Sequence, residues 1–341
     1  MKIKLHLTFL LLSALFSAVS CAETPSGLPD TTAYFTNPVV EDGADPWVIQ
    51  YNGYYYYCFS DSGRIYVSRS KHLQDIGKAV PAPVWTPEEG KEYSKELWAP
   101  ELHNINGKWY IYVAADNGDN YNHRIYVLEG SSQDPQSAFS LKARLRAPTD
   151  KWAIDGTVLT MDDGSLYFIW SGWQGDENVA QNIYIAPMSN PWTITGERVL
   201  ISRPELPWEL HGRPLINEGP EILRHNGRIF IIYSASGSWT DDYCLGELDY
   251  GGGGVMKKES WHKKTSPVFK STENVFGPGH ASFTKSPDGK EDWIVYHAAK
   301  KKGSGWDRNV RIQKFSWNND GSPDFGSPVA EGVKIPVPSD K

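Results

Sequence analysis

The sequence predicts an all-β protein, a five-bladed β-propeller, and three observations carry that expectation. One phrase recurs five times along the 341 residues: a polar or aromatic residue, a short apolar strand, a turn bearing Gly or Asp, then a strongly aromatic strand. The strands read as alternating or continuous runs of β-branched and aromatic residues bounded by Gly, Asn and Asp, which is the punctuation of hairpins. Helical periodicity extends nowhere at length beyond the first twenty residues. Four short strands cannot bury both faces of their own sheet, so five such sheets stacked around an axis give each one two neighbours.

Taken in order, the phrases open at Asp45-Pro46-Trp47, Trp98-Ala99-Pro100, Asp155-Gly156-Thr157, Glu218-Gly219-Pro220 and His280-Ala281-Ser282. Their turn glycines are Gly53, Gly107, Gly164, Gly227 and Gly289. The interval between them suits one four-stranded sheet per repeat, and the propeller is expected over residues 34–338. A β-sandwich is the rival architecture.

Ahead of it lies an address. Residues 1–20 carry Lys2 and Lys4, then the apolar stretch Leu5 to Val19 ending in small residues, the pattern of an export signal rather than a membrane span. The run Leu15 to Cys21 resembles a bacterial lipoprotein box, which makes Cys21 the expected lipidation site and residues 21–33 a tether. Cleavage after Ala22 without lipidation is the alternative. The expected location is periplasmic or on the outer membrane of a bacterium. Cys58 and Cys244 sit in apolar stretches and are expected to be buried free thiols, and no Cys/His spacing suggests a zinc site. A net charge of −7 without a clustered excess of Lys and Arg argues against nucleic acid as a partner.

The residues that open the phrases stand 8 or 9 positions before their turn glycines, counted from Asp45, Trp98, Asp155, Glu218 and His280. If these are the innermost strands, two aspartates, a glutamate, a histidine and a tryptophan converge on one mouth of the central channel. Three carboxyl groups placed together cost stability through desolvation and mutual repulsion, which calls for a functional explanation. Carboxyl groups in an aromatic-lined mouth are the equipment of glycoside hydrolysis: one protonates the leaving oxygen while another activates water. Mutual repulsion can split their proton affinities accordingly. Sugar rings stack on aromatic faces, and Trp98, Trp170, Trp173 and Trp239 are candidates.

Five phrases taken together resemble glycoside hydrolase family 43: Ala44-Asp45-Pro46-Trp47, Leu97-Trp98-Ala99-Pro100-Glu101, Ala153-Ile154-Asp155-Gly156-Thr157, Asn217-Glu218-Gly219-Pro220-Glu221 and Gly277-Pro278-Gly279-His280. The resemblance implies an inverting hydrolase with Asp45 as general base, Glu218 as general acid, and Asp155 tuning and orienting that acid. Glu221, three residues on in an alternating strand, is expected on the opposite face. His280 would lie under the site beside an ion, often calcium, or waters, and no organic cofactor is implied. Arg311 matches the family's late sugar-binding arginine, with Arg308 as its near neighbour, and Trp98, Trp173 and His280 are expected to contact substrate.

Within the family, Ser171-Gly172-Trp173-Gln174-Gly175, Asn182 to Met188 and Tyr233 to Trp239 look like the α-L-arabinofuranosidase branch. The implied activity is release of arabinofuranose from arabinan or arabinoxylan of the plant cell wall. β-Xylosidases, endo-arabinanases and galactan-acting enzymes use the same propeller, and a sugar-binding propeller without turnover or a retaining, fructose-transferring one are the further alternatives.

Overall fold

Each turn glycine named above has a φ between 74° and 83°, the left-handed conformation that glycine adopts without a Cβ clash. In three repeats an asparagine with φ near 50° precedes it (Asn52, Asn106 and Asn226), so Asn-Gly forms a two-residue hairpin of the kind whose twist matches the flanking strands. The structure, a computed structural model, describes residues 33–340, and the export signal, lipidation site and all but the last residue of the tether lie outside the described residues.

The hairpins extend into five antiparallel sheets. Blade 1 comprises Trp47–Tyr51, Tyr54–Asp61, Arg64–Ser70 and Ala82–Trp85, and blade 2 comprises Lys95–Ile105, Lys108–Asp116, Arg124–Gly130 and Phe139–Leu145. Blade 3 is built from Ala153–Thr160, Leu166–Trp173 and Gln181–Asn190, with its outer edge shared between Thr193–Ile194 and Val199–Ser202. Blade 4 is Asn217–His225, Arg228–Ala235, Cys244–Tyr250 and Trp261–Lys263; blade 5 is Phe276–Lys285, Asp292–Ala299, Arg308–Trp317 and Pro323–Asp324. The expected five-bladed β-propeller is what the chain forms.

The apolar core lies between blades. One buried cluster joins blades 1 and 2 around Trp109, and the next joins blades 2 and 3 around Tyr112 and Phe168. The remaining three join blades 3 and 4, 4 and 5, and 5 and 1. This is why the middle strands are aromatic and apolar on both faces: each face is packed against a neighbour, and truncating one buried tryptophan costs about 3–5 kcal/mol. Cys58 and Cys244 are buried free thiols inside these layers.

The ring closes through the start of the chain. Val39 N–H donates to Val310 O, and Val310 N–H returns to Val40 O, so the N-terminal segment lies along the third strand of blade 5. Asn37 is 2% exposed and clamps Ile312 twice, donating from Nδ2 to the carbonyl and accepting the N–H at Oδ1, both at 2.9 Å. Tyr34–Phe35 then pairs with Ile335–Pro336. Asn37→Ala orphans a buried N–H and carbonyl, and is expected to lower unfolding free energy by about 1–3 kcal/mol. Urea titration measures it, and an unchanged midpoint at constant slope would remove Asn37 as a closing latch.

Candidate active site

All five inner strands kink at one level. Asp45 (φ 47°), Ala99 (43°), Asp155 (52°), Gly219 (53°) and His280 (43°) occupy the left-handed region where the inner strand begins. In blades 2 to 5 the ladder to the second strand slips across the kink, leaving a bulge. This corrects the register counted back from the glycines. Blades 1, 2 and 4 turn through two residues, whereas blades 3 and 5 use longer turns, from Thr160 to Leu166 and from Lys285 to Asp292. The extra length shifts the count by one, so Ala99 and Gly219, not Trp98 and Glu218, are the equivalents of Asp45, Asp155 and His280. Trp98 and Glu218 each stand one residue earlier.

The kink also changes which side chains reach the channel. Glu221 was expected on the opposite face from the site. It instead lines a small cavity with Glu101, Trp47, Asp45, Gly219 and His280, because the bulge at Glu218–Glu221 resets the alternation. The channel therefore carries two tiers of carboxyl groups.

In the upper tier His280 Nδ1 lies 3.2 Å from Asp45 Oδ1, and Arg308 Nη1 approaches the same oxygen at 3.4 Å. The His297 ring, fully buried, reaches Asp45 through Nδ1, 3.0 Å from its backbone nitrogen and 3.1 Å from Oδ1, while Arg308 Nη1 meets its Nε2 at 3.2 Å. Asp155 Oδ2 accepts the N–H of Gly219 at 3.0 Å, gripping the peptide that follows Glu218. Tyr243 O–H donates to Glu218 Oε1 at 2.8 Å, and its ring stacks on His297. Ser234 Oγ accepts the N–H of His280 at 2.8 Å. A Cβ on Gly219 would stand 3.1 Å from the His280 ring and press on it, and the residue's φ of 53° favours glycine as well.

These contacts separate the proton affinities. Burial works to raise Asp45, but the His280 and Arg308 charges and the imidazole hydrogen bonds outweigh it, and Asp45 is held well below the ordinary carboxylate range. Burial, with the charge of Asp45, lifts Asp155 to about 6 against the pull of His280. Burial and then the neighbouring Asp155 push Glu218 up to about 8, with His280 and the Tyr243 hydroxyl opposing. Burial pulls His280 down, yet the surrounding carboxylates carry it to about 10. His297 is pushed down to about 3 by burial and by Arg308, so it stays neutral. Near neutrality the mouth thus holds one protonated carboxyl, Glu218, and an ionised Asp45 beside an imidazolium.

Several assigned residues move. Arg311 is 1% exposed and turns away from the mouth, its Nε donating to Asn309 Oδ1 and Nη2 lying 3.6 Å from Glu331. Arg308, three residues earlier and on the other side of the strand, is the arginine at the site. Trp173 is 1% exposed and stacked on Trp152, and Trp170 is buried in the same core cluster, so neither offers a face to a sugar. Trp98 is half-buried, with one face on the His123 ring at 3.9 Å, and Nε1 donating to Glu96. His297 and Tyr243 were missed. The signal for His297 was available: it is the ionisable residue in the apolar run Trp293-Ile-Val-Tyr-His.

For the ion implied beside His280, the nearest protein side chains are those lining the small cavity, Asp45, Glu101, Glu221 and the imidazole itself. The imidazole is held as a cation against Asp45, and burial pushes Glu101 and Glu221 well above the carboxylate range, with Glu101 adding to the shift on Glu221. Among the described residues no group of three or more His, Cys, Asp or Glu could hold a metal ion.

Known proteins resemble the chain over most of its length. An extracellular exo-α-(1→5)-L-arabinofuranosidase of Streptomyces avermitilis is 39% identical over 88% of this chain and 64% of its own length. α-L-Arabinofuranosidase 43 of Humicola insolens is 35% identical over 94% of this chain and 68% of its own. The chain spans about two thirds of the length of these curated relatives. The crystal structure of an α-L-arabinofuranosidase from Lactobacillus brevis superposes with a TM-score of 0.81 at 34% identity, covering 88% of this chain and 98% of that one. The pattern of Glycosyl hydrolases family 43 matches residues 35–323, and the chain belongs to that family.

Proposed function

We propose that the protein is an inverting exo-α-L-arabinofuranosidase that removes arabinose from the arabinan or arabinoxylan of plant cell walls. The observation that carries this reading is the convergence of three carboxyl groups with different partners: Asp45 on His280 and Arg308, Asp155 on the Gly219 N–H, and Glu218 on the Tyr243 hydroxyl. That arrangement favours an ionised Asp45 and a protonated Glu218. Asp45 draws a proton from the attacking water, and Glu218 gives its proton to the leaving glycosidic oxygen. Asp155 serves the acid twice, through its charge and through its bond to the Gly219 N–H. The His280 imidazolium and Arg308 keep the base ionised. The choice of arabinofuranose is supported by the names and identities of the relatives. The Streptomyces relative is described as extracellular, which supports an exported protein, and the lipoprotein-like box supports anchoring through Cys21. Mass spectrometry of the membrane fraction, with Cys21→Ala as control, tests the anchor.

Turnover of nitrophenyl α-L-arabinofuranoside against β-D-xyloside tests the sugar, and proton NMR of the first-formed anomer tests inversion. Preferential xyloside cleavage, or a retained anomer, would overturn the corresponding part. Glu218→Gln removes the transferable proton and is expected to lower kcat on arabino-oligosaccharides by about 10²–10⁴-fold. Retained sugar binding by calorimetry separates this from misfolding, and an undiminished rate eliminates Glu218 as the acid.

The reaction needs Glu218 protonated, so kcat/KM falls as pH rises through about 8. Asp155→Asn removes a charge that raises Glu218, and the alkaline limb moves to lower pH. Tyr243→Phe removes a hydrogen bond that lowers Glu218, and the limb moves to higher pH. Profiles of kcat/KM for both variants check the signs; movement of both in one direction contradicts the assignment.

A further inference from the structure

Trp306 is 65% exposed, an unusual state for a side chain so large and apolar. It stands in the loop between the second and third strands of blade 5, two residues before Arg308. That loop lies on the end of the propeller where the inner strands begin, the end that carries the mouth.

It is also firmly mounted. Trp306 Nε1 donates to Ser238 Oγ at 3.1 Å, and its ring meets the half-buried Trp239 edge to face at 6.0 Å. Gly303 N–H donates to Asp241 Oδ1 at 2.8 Å, tying the loop to the corresponding loop of blade 4. Lys300 bonds both Asp307 and Asp42 across the base of the loop. The blade 4 loop ends at Tyr243, which holds Glu218, and the blade 5 loop ends at Arg308, which touches Asp45. The two clasped loops therefore connect the acid to the base along one edge of the mouth.

We propose that Trp306, braced by Trp239, is the stacking platform for the sugar ring on the leaving-group side of the scissile bond. The chemistry of the surface selects that occupant. The indole N–H is taken by Ser238, so what remains for a ligand is a flat π face, suited to the C–H face of a neutral sugar and not to an anion. Immobilising the ring in advance removes the ordering cost that a free surface tryptophan would incur on binding. The platform rests on the arabinofuranosidase reading and adds a residue that grips the rest of the glycan.

The test compares wild type, Trp306→Ala and Trp306→Phe on three substrates: methyl α-L-arabinofuranoside, α-1,5-arabinotriose and an arabinosylated xylotriose. Trp306→Ala is expected to raise KM roughly tenfold on an oligosaccharide with kcat nearly unchanged, and to leave the methyl glycoside unaffected. Trp306→Phe is expected to recover most of the loss. A loss confined to arabinotriose identifies an arabinofuranose occupant, and one confined to the xylotriose identifies a xylose occupant. Unchanged KM on both oligosaccharides, or an equal loss on the methyl glycoside, overturns the platform. A wild-type protein inert on all three overturns the arabinofuranosidase reading itself, and the platform falls with it.

Discussion

Everything at the mouth depends on a backbone constraint: each inner strand enters the ring through a residue with positive φ. Four of the five are not glycine, and such a conformation costs an L-residue about 1–2 kcal/mol. The bulge turns a strand that would otherwise show every second side chain to the axis into one that shows an upper and a lower set. Asp45, Asp155 and His280 occupy the upper level, and Glu101 and Glu221 the lower. Glu218, one residue before its kink, accepts from Tyr243, whereas Asp45 meets the imidazolium directly. The difference between an acid and a base therefore begins as a difference of one position relative to a kink.

Electrostatics then completes the separation. A single buried positive ring serves three carboxyl groups unequally, because only Asp45 makes a direct ion pair with it and also receives Arg308. Burial raises all three, and Asp45 alone ends below the ordinary range because His280 and Arg308 both contact it. Neutral His297 contributes shape instead of charge, filling the space between Asp45, Arg308 and Tyr243.

The blades, and Asp45 and Asp155 with them, were legible in the sequence because they follow from repetition: hairpin turns and aromatic strands recur, and matched positions recur with them. Glu218 was legible through the family-like phrase around it. What escaped was whatever repetition does not govern. A turn longer in two blades moved the ruler by one residue, so Trp98 and Glu218 were assigned to the level that Ala99 and Gly219 occupy. Arg308 and Arg311 lie on one strand with opposite directions, and spacing to a distant site cannot choose between them. Trp173 illustrates the ambiguity of aromatic residues in a propeller, where the side chain that could hold a sugar and the one that fills a blade interface share a composition. Tyr243 acts from a loop whose path no periodicity encodes.

The latch at Asn37 joins the earliest part of the domain to one of its last strands. The two partners stand 275 residues apart in the sequence, so wherever the chain folds, the early segment finds its strand only once the fifth blade has formed. Closure of the circle is consequently a contact of high sequence separation, the kind that slows folding. A chain cut short before residue 312 would leave both polar atoms of the Asn37 side chain without their partner.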